Sequence, residues 1–435
     1  MPRRLVVIGG GAAGMSAASA ARRTDPALEV VVLEATGHVA YGLCGIPYYL
    51  AGAVARADDL LAYPPGHFSS ARGIDIRLYA RAVRLDPRGR WVTYQQDGGA
   101  HRISYSALVI TSGAAPVPLS LPGVPAGRVF TIRTLEDAIA LRGLLDAGRV
   151  GRGLVVGAGY VGLEMAEALA ARGCEVTVVE RLERVLPGLD PEVAKIVEGH
   201  VREHVDLRLS AEAVQACDPP PDIAVVSAGV RPAAGLATAA GAATGPAGAL
   251  LVDERMATSL EGVWAAGDCA APAHLLTGQP AFVPLGTTAN KTGRVAGTVA
   301  AGGEATFGGI AGTAVVKVFD LEVARTGLTL AEALAAGFDA RATDVVHRSR
   351  AKYYPGSAEL HVRLVHGRDG HLLGAQLTGR EGAAIRIDVV ATALHARMSV
   401  RDLARLDLAY APPFAPVYDP LIIAAQAAGR ALETS

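Results

Sequence analysis

This chain of 435 residues has few lysines and almost no net charge. Lysine occurs only at Lys195, Lys291, Lys317 and Lys352, so arginine supplies nearly all of the 41 basic residues. These almost cancel the 42 acidic residues and leave a formal net charge of −1. No block of like charges forms a basic stripe or a polybasic segment. We therefore expect neither a nucleic-acid partner nor an anionic membrane surface.

Cysteine and long apolar runs are also scarce. The four cysteines are Cys44, Cys174, Cys217 and Cys269, and none belongs to a CxxC pair or to a Cys/His cluster with zinc spacing. This spacing predicts no metal site and no disulfide framework, which favours a reducing cytoplasm as the location. No stretch has the length and flanks of a membrane helix, and the N-terminus does not resemble a secretory signal.

Glycine, in contrast, is abundant, and it forms the turns of a unit that occurs twice in the sequence. Residues 4–34 begin "RLVVIGGGAAG" and residues 152–180 contain "GLVVGAGYVG". Each segment reads as a buried strand, a glycine turn, a helix and a second strand that ends in an acid. An internal duplication of this βαβ unit predicts an α/β protein with two Rossmann-like dinucleotide-binding domains.

The first repeat carries the full dinucleotide fingerprint. Gly9 allows the tight turn, Gly11 lets the backbone approach a pyrophosphate, and Gly14 lets helix and strand pack closely. The helix N-terminus would face the phosphates with its unpaired N–H groups. Glu34 closes the second strand, where a carboxylate accepts hydrogen bonds from ribose hydroxyls. We therefore predict a first dinucleotide site here.

The second repeat predicts a second dinucleotide. Its glycines are Gly157, Gly159 and Gly162. Glu180 ends its second strand and favours a free ribose 2′-hydroxyl, hence NADH over NADPH. Arg181 and Arg184 lie close enough to allow use of both cofactors, although solvated surface charge is the simpler interpretation. Two such sites in one chain indicate a flavin and a nicotinamide, with a hydride passed between them.

The remaining chain divides the protein into domains. From about residue 306 the pattern changes to antiparallel strands and an amphipathic helix, which predicts a third, α+β domain. We expect a first domain from 1–116 that binds FAD, an NAD(P)H-binding domain over 117–235, the second part of the FAD domain over 236–305, and a dimerisation domain over 306–435.

Three further motifs make the sequence resemble the FAD-dependent pyridine nucleotide-disulfide oxidoreductases. "TSLEGVWAAGDCA" is similar to the second flavin motif of that family, which implies that Asp268 binds the ribityl chain. "ALVITSGAAP" resembles the strand that leads into the domain crossover. "VPLGTTANKTGRVAG" resembles the flavin-facing helix of the branch that contains coenzyme A disulfide reductases and NADH oxidases. The resemblance implies FAD, NADH or NADPH, and a homodimer built on the third domain.

Cys44 lies in "AYGLCGIPYYL", a segment whose glycines and proline favour a turn into a helix. A thiol at a helix N-terminus has a lowered pKa and a raised reactivity, so the residues alone allow either a reactive thiol or core packing. The resemblance implies the redox sulfur. Two-thiol members of the family carry a second cysteine five residues later, where this chain has Tyr49. A single-cysteine member rests as a mixed disulfide with coenzyme A or as a sulfenic acid.

Two tyrosine motifs point towards the coenzyme A branch. "AYAPP" around Tyr410 and "YYPG" around Tyr353 and Tyr354 resemble segments in which tyrosines reach the partner subunit's cysteine. Phenol hydroxyls there would protonate or hydrogen-bond a leaving thiolate. Tyrosines beside prolines also commonly fill a groove, so both interpretations stay open. Ala12 replaces the histidine that oxidases and peroxidases typically carry in the first glycine loop, which disfavours oxygen chemistry.

Arg22 is the residue that the resemblance implies as a ligand for coenzyme A phosphates. Arg22 and Arg23 together end the first helix, where positive charge is favourable without any ligand. We thus expect an NAD(P)H-dependent reductase of coenzyme A disulfide or a related disulfide. The alternatives are an NADH oxidase, a polysulfide or persulfide reductase, a reductase for an electron-transfer protein, and a redox sensor.

Overall fold

The computed structural model describes residues 3–64, 66–213 and 220–433. Its strands are β1 Arg4–Ile8, β2 Glu29–Leu33, β3 Asp75–Arg77, β4 Arg81–Asp86, β5 Trp91–Gln96, β6 Gly99–Ser104, β7 Ala107–Ile110, β8 Ala114–Pro116, β9 Val129–Phe130, β10 Arg152–Val156, β11 Glu175–Val179, β12 Asp206–Arg208, β13 Ile223–Val226, β14 Val230–Pro232, β15 Leu250–Leu251, β16 Val263–Ala265, β17 Ala270–Ala271, β18 Ala314–Val318, β19 Leu321–Gly327, β20 Ala340–Arg348, β21 Glu359–Gly367 and β22 Leu372–Gly379. Its α-helices are α1 Ala12–Thr24, α2 Ile46–Ala51, α3 His67–Arg72, α4 Leu135–Asp146, α5 Tyr160–Ala171, α6 Pro191–Arg202, α7 Gly235–Ala239, α8 Gly286–Ala300, α9 Leu330–Ala335, α10 Ala383–His395, α11 Val400–Leu403 and α12 Pro420–Glu433.

The first domain is built on a five-stranded parallel sheet in the order β16-β7-β1-β2-β3. β7 is apolar along its whole length, and β1 is apolar after Arg4, because helices or other layers cover both faces of the sheet. β16 joins this sheet from far along the chain, so two chain segments form one domain. A three-stranded antiparallel sheet, β4-β5-β6, packs beside it.

Two helices of the first domain cross with their backbones nearly in contact. A Cβ added to Gly293 of α8 would lie 2.2 Å from the carbonyl oxygen of Ala13, and one added to Gly297 would lie 2.0 Å from that of Ala17. Only glycine fits at these positions, since real Cβ atoms do not approach this closely. This close packing of α8 on α1 holds the first glycine loop against the turn that follows β16.

The second domain repeats the architecture. Its five parallel strands run in the order β12-β11-β10-β13-β9. α5 follows β10 as α1 follows β1. The predicted pair of Rossmann-like domains is confirmed, and both glycine turns lie at the carboxyl ends of the central strands, where such folds bind ligands.

The third domain is an antiparallel sheet, β18-β19-β22-β21-β20, covered by α10 and α12. This confirms the predicted α+β domain. Strand β20 was not predicted from the sequence, because it is an edge strand whose burial does not alternate regularly. No described helix is long and apolar enough to cross a membrane.

Candidate active site

The first glycine turn leaves its outer surface open to a ligand backbone. Gly9 has a φ of 102°, a conformation that favours glycine. A Cβ on Gly14 would lie 1.8 Å from the Gly9 carbonyl oxygen, whereas one on Gly11 would meet nothing within 4 Å. The structure therefore places the tight turn and the close packing where the sequence predicted them. The free space over Gly11 lies at the start of α1, whose first N–H groups can bind a phosphate.

The second glycine turn has nearly the same geometry. Gly157 has a φ of 103°. A Cβ on Gly162 would lie 1.9 Å from the Gly157 carbonyl oxygen, and the position over Gly159 is open. The duplication seen in the sequence is therefore a duplication of a three-dimensional turn.

Each turn ends against the acid that closes the second strand. Glu34 accepts a hydrogen bond from the backbone N–H of Gly10 at 2.6 Å, and Glu180 accepts one from that of Ala158 at 2.8 Å. A carboxylate fixed at the loop in this way is placed to meet the ribose hydroxyls of an adenosine. Arg181 is exposed, consistent with solvated surface charge.

Asp268 lies in a short 3₁₀ turn, Gly267–Cys269, directly after β16. Burial raises the pKa of this carboxyl, and Arg133, whose guanidinium lies 3.8 Å away, opposes the rise. The turn meets α8 through a hydrogen bond from the Gly267 N–H to Thr292. The first glycine loop, Glu34 and Asp268 together offer donors for phosphates and acceptors for sugar hydroxyls, so the residues present fit a bound FAD.

Cys44 lies in a 3₁₀ turn, Leu43–Gly45, that leads directly into α2. Its side chain is exposed, unlike those of the other two described cysteines, Cys174 and Cys269. Both of these donate to backbone carbonyls in the core, as expected for small apolar residues. Cys217 lies outside the described residues. Cys44 is thus the one described thiol that a substrate can reach from solvent.

The expected lowering of the Cys44 pKa is wrong for this structure. Desolvation by the surrounding protein raises the pKa of the thiol, and the carboxylates of Glu164 and Asp268 add to the rise. α2 has only six residues, so its N-terminus offers little compensation. The sequence could not show that Glu164, on α5 of the other dinucleotide domain, lies near this thiol.

The pKa of the Glu164 carboxyl is itself shifted. Burial, followed by repulsion from Glu167, raises the pKa of Glu164 to about 7. Desolvation, followed by the charge of Glu164, also raises the pKa of Tyr48, a partly exposed neighbour of Cys44. A carboxyl that titrates near neutral pH therefore lies in the surroundings of the thiol. Titratable groups with such shifts often cluster at functional sites.

Tyr49 occupies the position where two-thiol relatives carry their second cysteine. The side chain is buried in the core, with the Arg142 guanidinium 5.0 Å from its ring centroid. Packing, rather than chemistry, explains this residue. No second cysteine takes part in the site among the described residues.

The structure brings two of the three predicted tyrosines together. The hydroxyls of Tyr353 and Tyr410 lie 3.4 Å apart, and this hydrogen bond raises the pKa of Tyr410. Both side chains are exposed, at 75% and 45%. Tyr354 instead packs against the Arg350 guanidinium. Within the described part of one chain, no hydrogen bond or ring contact links the exposed pair to Cys44.

A basic cleft of about 490 Å³ opens at the end of α1. Its lining residues are Ser19, Arg22, Arg23, Ala71, Arg72 and Gly73. Three guanidinium groups without an acidic residue in the lining suit a phosphorylated ligand.

The three arginines of this cleft differ in how many hydrogen bonds they already make to the protein. Arg22 donates to the backbone carbonyls of Leu28 and Arg72, so part of its guanidinium is already used. Arg72 donates to Ser19 at 2.6 Å. Arg23 is exposed and has no hydrogen bond or ion pair among the described residues. Sequence reasoning named Arg22 and missed Arg72, which lies on a different helix and carries no motif.

One segment connects the cleft to Cys44. The N–H of Gly42 donates to Leu60, and the N–H of Ala62 donates to Ala40, so the chain from Leu60 onward runs beside the cysteine loop. It continues through Tyr63, whose ring lies 5.1 Å from the Arg72 guanidinium.

Comparison with known proteins identifies the family. The pyridine nucleotide-disulphide oxidoreductase family matches residues 3–293, and its dimerisation domain matches residues 313–421. The chain belongs to this family and is an NAD(P)H-dependent flavoprotein disulfide reductase of the branch that contains coenzyme A disulfide reductases and NADH oxidases.

Three relatives illustrate the branch. The NAD(P)H coenzyme A polysulfide/persulfide reductase of Pyrococcus horikoshii is 41% identical over 98% of both chains. The coenzyme A disulfide reductase of Staphylococcus haemolyticus is 29% identical over 95% of this chain and 96% of its own. A solved NAD-dependent persulfide reductase from A. fulgidus superimposes with a TM-score of 0.94 at 37% identity, covering 99% of this chain and 84% of that one.

Proposed function

We propose that this protein uses NAD(P)H and FAD to reduce sulfur–sulfur bonds attached to coenzyme A, with Cys44 as its redox sulfur. The observation that carries the proposal is a single exposed thiol without a second described thiol in the site. A disulfide reductase of this family with one cysteine needs a substrate that supplies the other sulfur. The names of the relatives, which include both coenzyme A disulfide and persulfide reductases, support coenzyme A as that substrate.

The exchange step needs only Cys44 and the substrate. The Cys44 thiolate attacks one sulfur of coenzyme A disulfide, the S–S bond breaks, and one coenzyme A thiolate leaves. Attack on the coenzyme A sulfur of a persulfide expels hydrosulfide instead. Both substrates leave the same mixed disulfide between Cys44 and coenzyme A. Two electrons from NAD(P)H and one proton then restore the Cys44 thiolate and release coenzyme A thiol.

The cofactors would be held by the two glycine turns. Gly9, Gly11 and Gly14 would hold the FAD pyrophosphate, with Glu34 on the ribose and Asp268 on the ribityl chain. The nicotinamide nucleotide would bind at the second turn with Glu180 on its ribose. FAD, when bound, supplies the two-electron link between nicotinamide and sulfur.

The basic cleft would hold the phosphates of coenzyme A. Arg23 and Arg72 are the better candidates for the phosphate contacts, because the Arg22 guanidinium already donates to two backbone carbonyls. Arg22 would then shape the cleft and add positive charge. The pantetheine chain would follow the segment through Tyr63 to Cys44.

A second copy of the chain would complete the site. The dimerisation domain of the family covers most of the third domain, which supports a homodimer. The exposed pair of Tyr353 and Tyr410 does not contact Cys44 in its own chain, and in a dimer it would face the partner's thiol. Tyr410 would then stabilise or protonate the departing thiolate, with Tyr353 holding it in place. Tyr354, packed on Arg350, would position the segment.

Anaerobic turnover with competing acceptors tests the proposal. NADH oxidation is followed with coenzyme A disulfide, coenzyme A persulfide and glutathione disulfide, and separately with oxygen. We expect turnover with both coenzyme A substrates and a loss of at least about 10³-fold in Cys44→Ser, because the nucleophile is removed. Cys174→Ser, which changes a buried thiol, serves as the control for folding and flavin content. Full activity of Cys44→Ser, or a preference for glutathione disulfide or oxygen, would refute the proposal.

A further inference from the structure

A cluster of metal-binding side chains lies where the second domain meets the third, outside the glycine turns and the Cys44 site. His200 belongs to α6, His204 follows the end of that helix, and Asp320 lies in the turn between β18 and β19. One ligand atom from each of the three residues lies within 4.8 Å of the other two. The i, i+4 spacing of His200 and His204 is visible in the sequence, but Asp320 comes from a distant part of the chain, so the cluster as a whole could not be predicted.

His200 presents a ring nitrogen that needs a partner. The residue is buried, with 8% exposure, and its Nε2 has no hydrogen-bond partner among the described residues. Asp320 Oδ1 is only 2.7 Å from this nitrogen, so the two atoms are close without the alignment that a hydrogen bond requires. A buried, unsatisfied polar atom is costly, and a metal ion shared with the carboxylate would satisfy it.

The other ring nitrogen of His200 has the surroundings typical of a metal ligand. Nδ1 lies 3.5 Å from a carboxylate oxygen of Glu203. The two groups form no hydrogen bond at this distance, but the negative charge of the exposed Glu203 favours a proton on Nδ1, which leaves Nε2 free to bind a metal.

The turn that carries Asp320 is held in place independently. Phe319 has a φ of 54°, an uncommon conformation for a bulky residue, and its N–H donates to Glu167 of α5 at 2.9 Å. Lys317 also pairs with Glu167. The Phe319 ring stacks on His204, with centroids 4.1 Å apart. The strained turn therefore keeps Asp320 and His204 beside His200, and strain of this kind often accompanies a functional site.

We propose that His200, His204 and Asp320 bind a divalent transition metal, with Zn²⁺ the best fit to two imidazole nitrogens and one carboxylate. Zinc takes such sets in tetrahedral geometry with water as the fourth ligand. Two ligand atoms about 2.0–2.2 Å from a zinc ion lie roughly 3.3–3.5 Å apart, so the Asp320 carboxylate would rotate outward from its 2.7 Å separation from His200 Nε2 to admit the ion. Arg380, 3.4 Å from the other Asp320 oxygen, opposes the ion, whereas Glu203 favours it. The bound metal would fasten the second domain to the third.

Metal titration of the untagged, FAD-loaded protein tests this site. A Cys44→Ser, Cys217→Ser background removes the exposed thiol and a further one that could compete for zinc. The protein is stripped with a chelator, and ZnCl₂ binding is measured by calorimetry and by metal analysis after dialysis. We expect one zinc per chain and a melting temperature that rises with zinc concentration.

Two ligand variants and one control decide the outcome. His204→Gln and Asp320→Asn change exposed side chains, so folding is preserved, and each should weaken zinc binding by at least about 100-fold. His395→Gln, an exposed histidine at the end of α10, should leave binding unchanged. Absence of stoichiometric zinc in the background protein, or equal affinity in both ligand variants, would show that the cluster is an ordinary ion-pair network and overturn the proposal.

Discussion

The two dinucleotide modules begin with almost the same turn but face different neighbours. Gly9 and Gly157 share a φ within one degree, at 102° and 103°, and Gly14 and Gly162 both leave no room for a Cβ. The helices that follow diverge. α1 is buried against α8 within its own domain, whereas α5 contacts the Cys44 segment and the third domain.

Two matched positions show where the modules separate. The second residue after the last glycine is Ser16 in the first module and Glu164 in the second. Ser16 donates to Asn290 of α8, whereas Glu164 lies near Cys44 and titrates near neutral pH. The glycine turn recurs because binding a pyrophosphate demands one backbone shape. The helix faces that carry Ser16 and Glu164 differ because, of these two helices, only α5 packs beside the segment that contains Cys44.

The largest effect on cofactor binding should come from substituting alanine for the last glycine of each turn, one turn at a time. We expect Gly14→Ala to purify with little flavin, because the new methyl group would collide with the Gly9 carbonyl and distort the loop. Gly162→Ala should retain flavin but lose reduction by NADH at least about 100-fold, because the matching collision lies in the other module. Flavin absorbance and anaerobic NADH reduction measure the two losses.

Reduction by dithionite serves as the control for the glycine variants, since it bypasses the nicotinamide site. Circular dichroism checks that each variant is folded. Flavin loss in Gly162→Ala with flavin retained in Gly14→Ala would reverse our assignment of the two modules. Equal loss of both cofactors in folded Gly162→Ala would show that the modules do not act separately.

A smaller effect should come from the acid of the second turn. Glu180→Ser removes the carboxylate that disfavours a 2′-phosphate, so the ratio of kcat/KM for NADPH to that for NADH should rise about tenfold or more. Glu34→Ser, at the matching position of the first module, should lower flavin retention without changing this ratio. Steady-state kinetics with both nucleotides measure the effect. An unchanged ratio in Glu180→Ser would contradict the proposed ribose contact.

The smallest effect, on the reactivity of Cys44, should come from substitutions at the matched helix positions Ser16 and Glu164. Above pH 7 the Glu164 carboxylate is charged and raises the pKa of Cys44, so Glu164→Gln should lower that pKa. We expect alkylation of the reduced thiol at pH 8 to be about two- to tenfold faster in Glu164→Gln than in the wild type. At pH 6, where Glu164 is mostly protonated, the two rates should converge. Ser16→Ala should match the wild type at both pH values, and a Glu164→Gln rate equal to the wild-type rate at pH 8 would contradict the coupling.

The sequence predicts local geometry well and long-range encounters poorly. Both glycine turns, their acids and the turn around Cys44 follow from short motifs, because each depends on backbone geometry within one βαβ unit or loop. Other features depend on how separate segments pack. These are the position of Glu164 near Cys44 and that of Arg72 beside the arginines of α1. The wrong expectation for the Cys44 pKa has this origin, since the turn into a helix was visible in the sequence and the desolvating neighbours were not.

The central claim, that Cys44 works alone with a sulfur supplied by coenzyme A, is tested most directly by intact mass. The protein is purified without reductant, its mass is measured before and after incubation with coenzyme A disulfide, and peptide mapping locates any adduct. We predict one coenzyme A adduct per chain, on Cys44, that NADH removes and that Cys44→Ser cannot form. A protein that never carries the adduct, or carries it on another cysteine, would contradict the account.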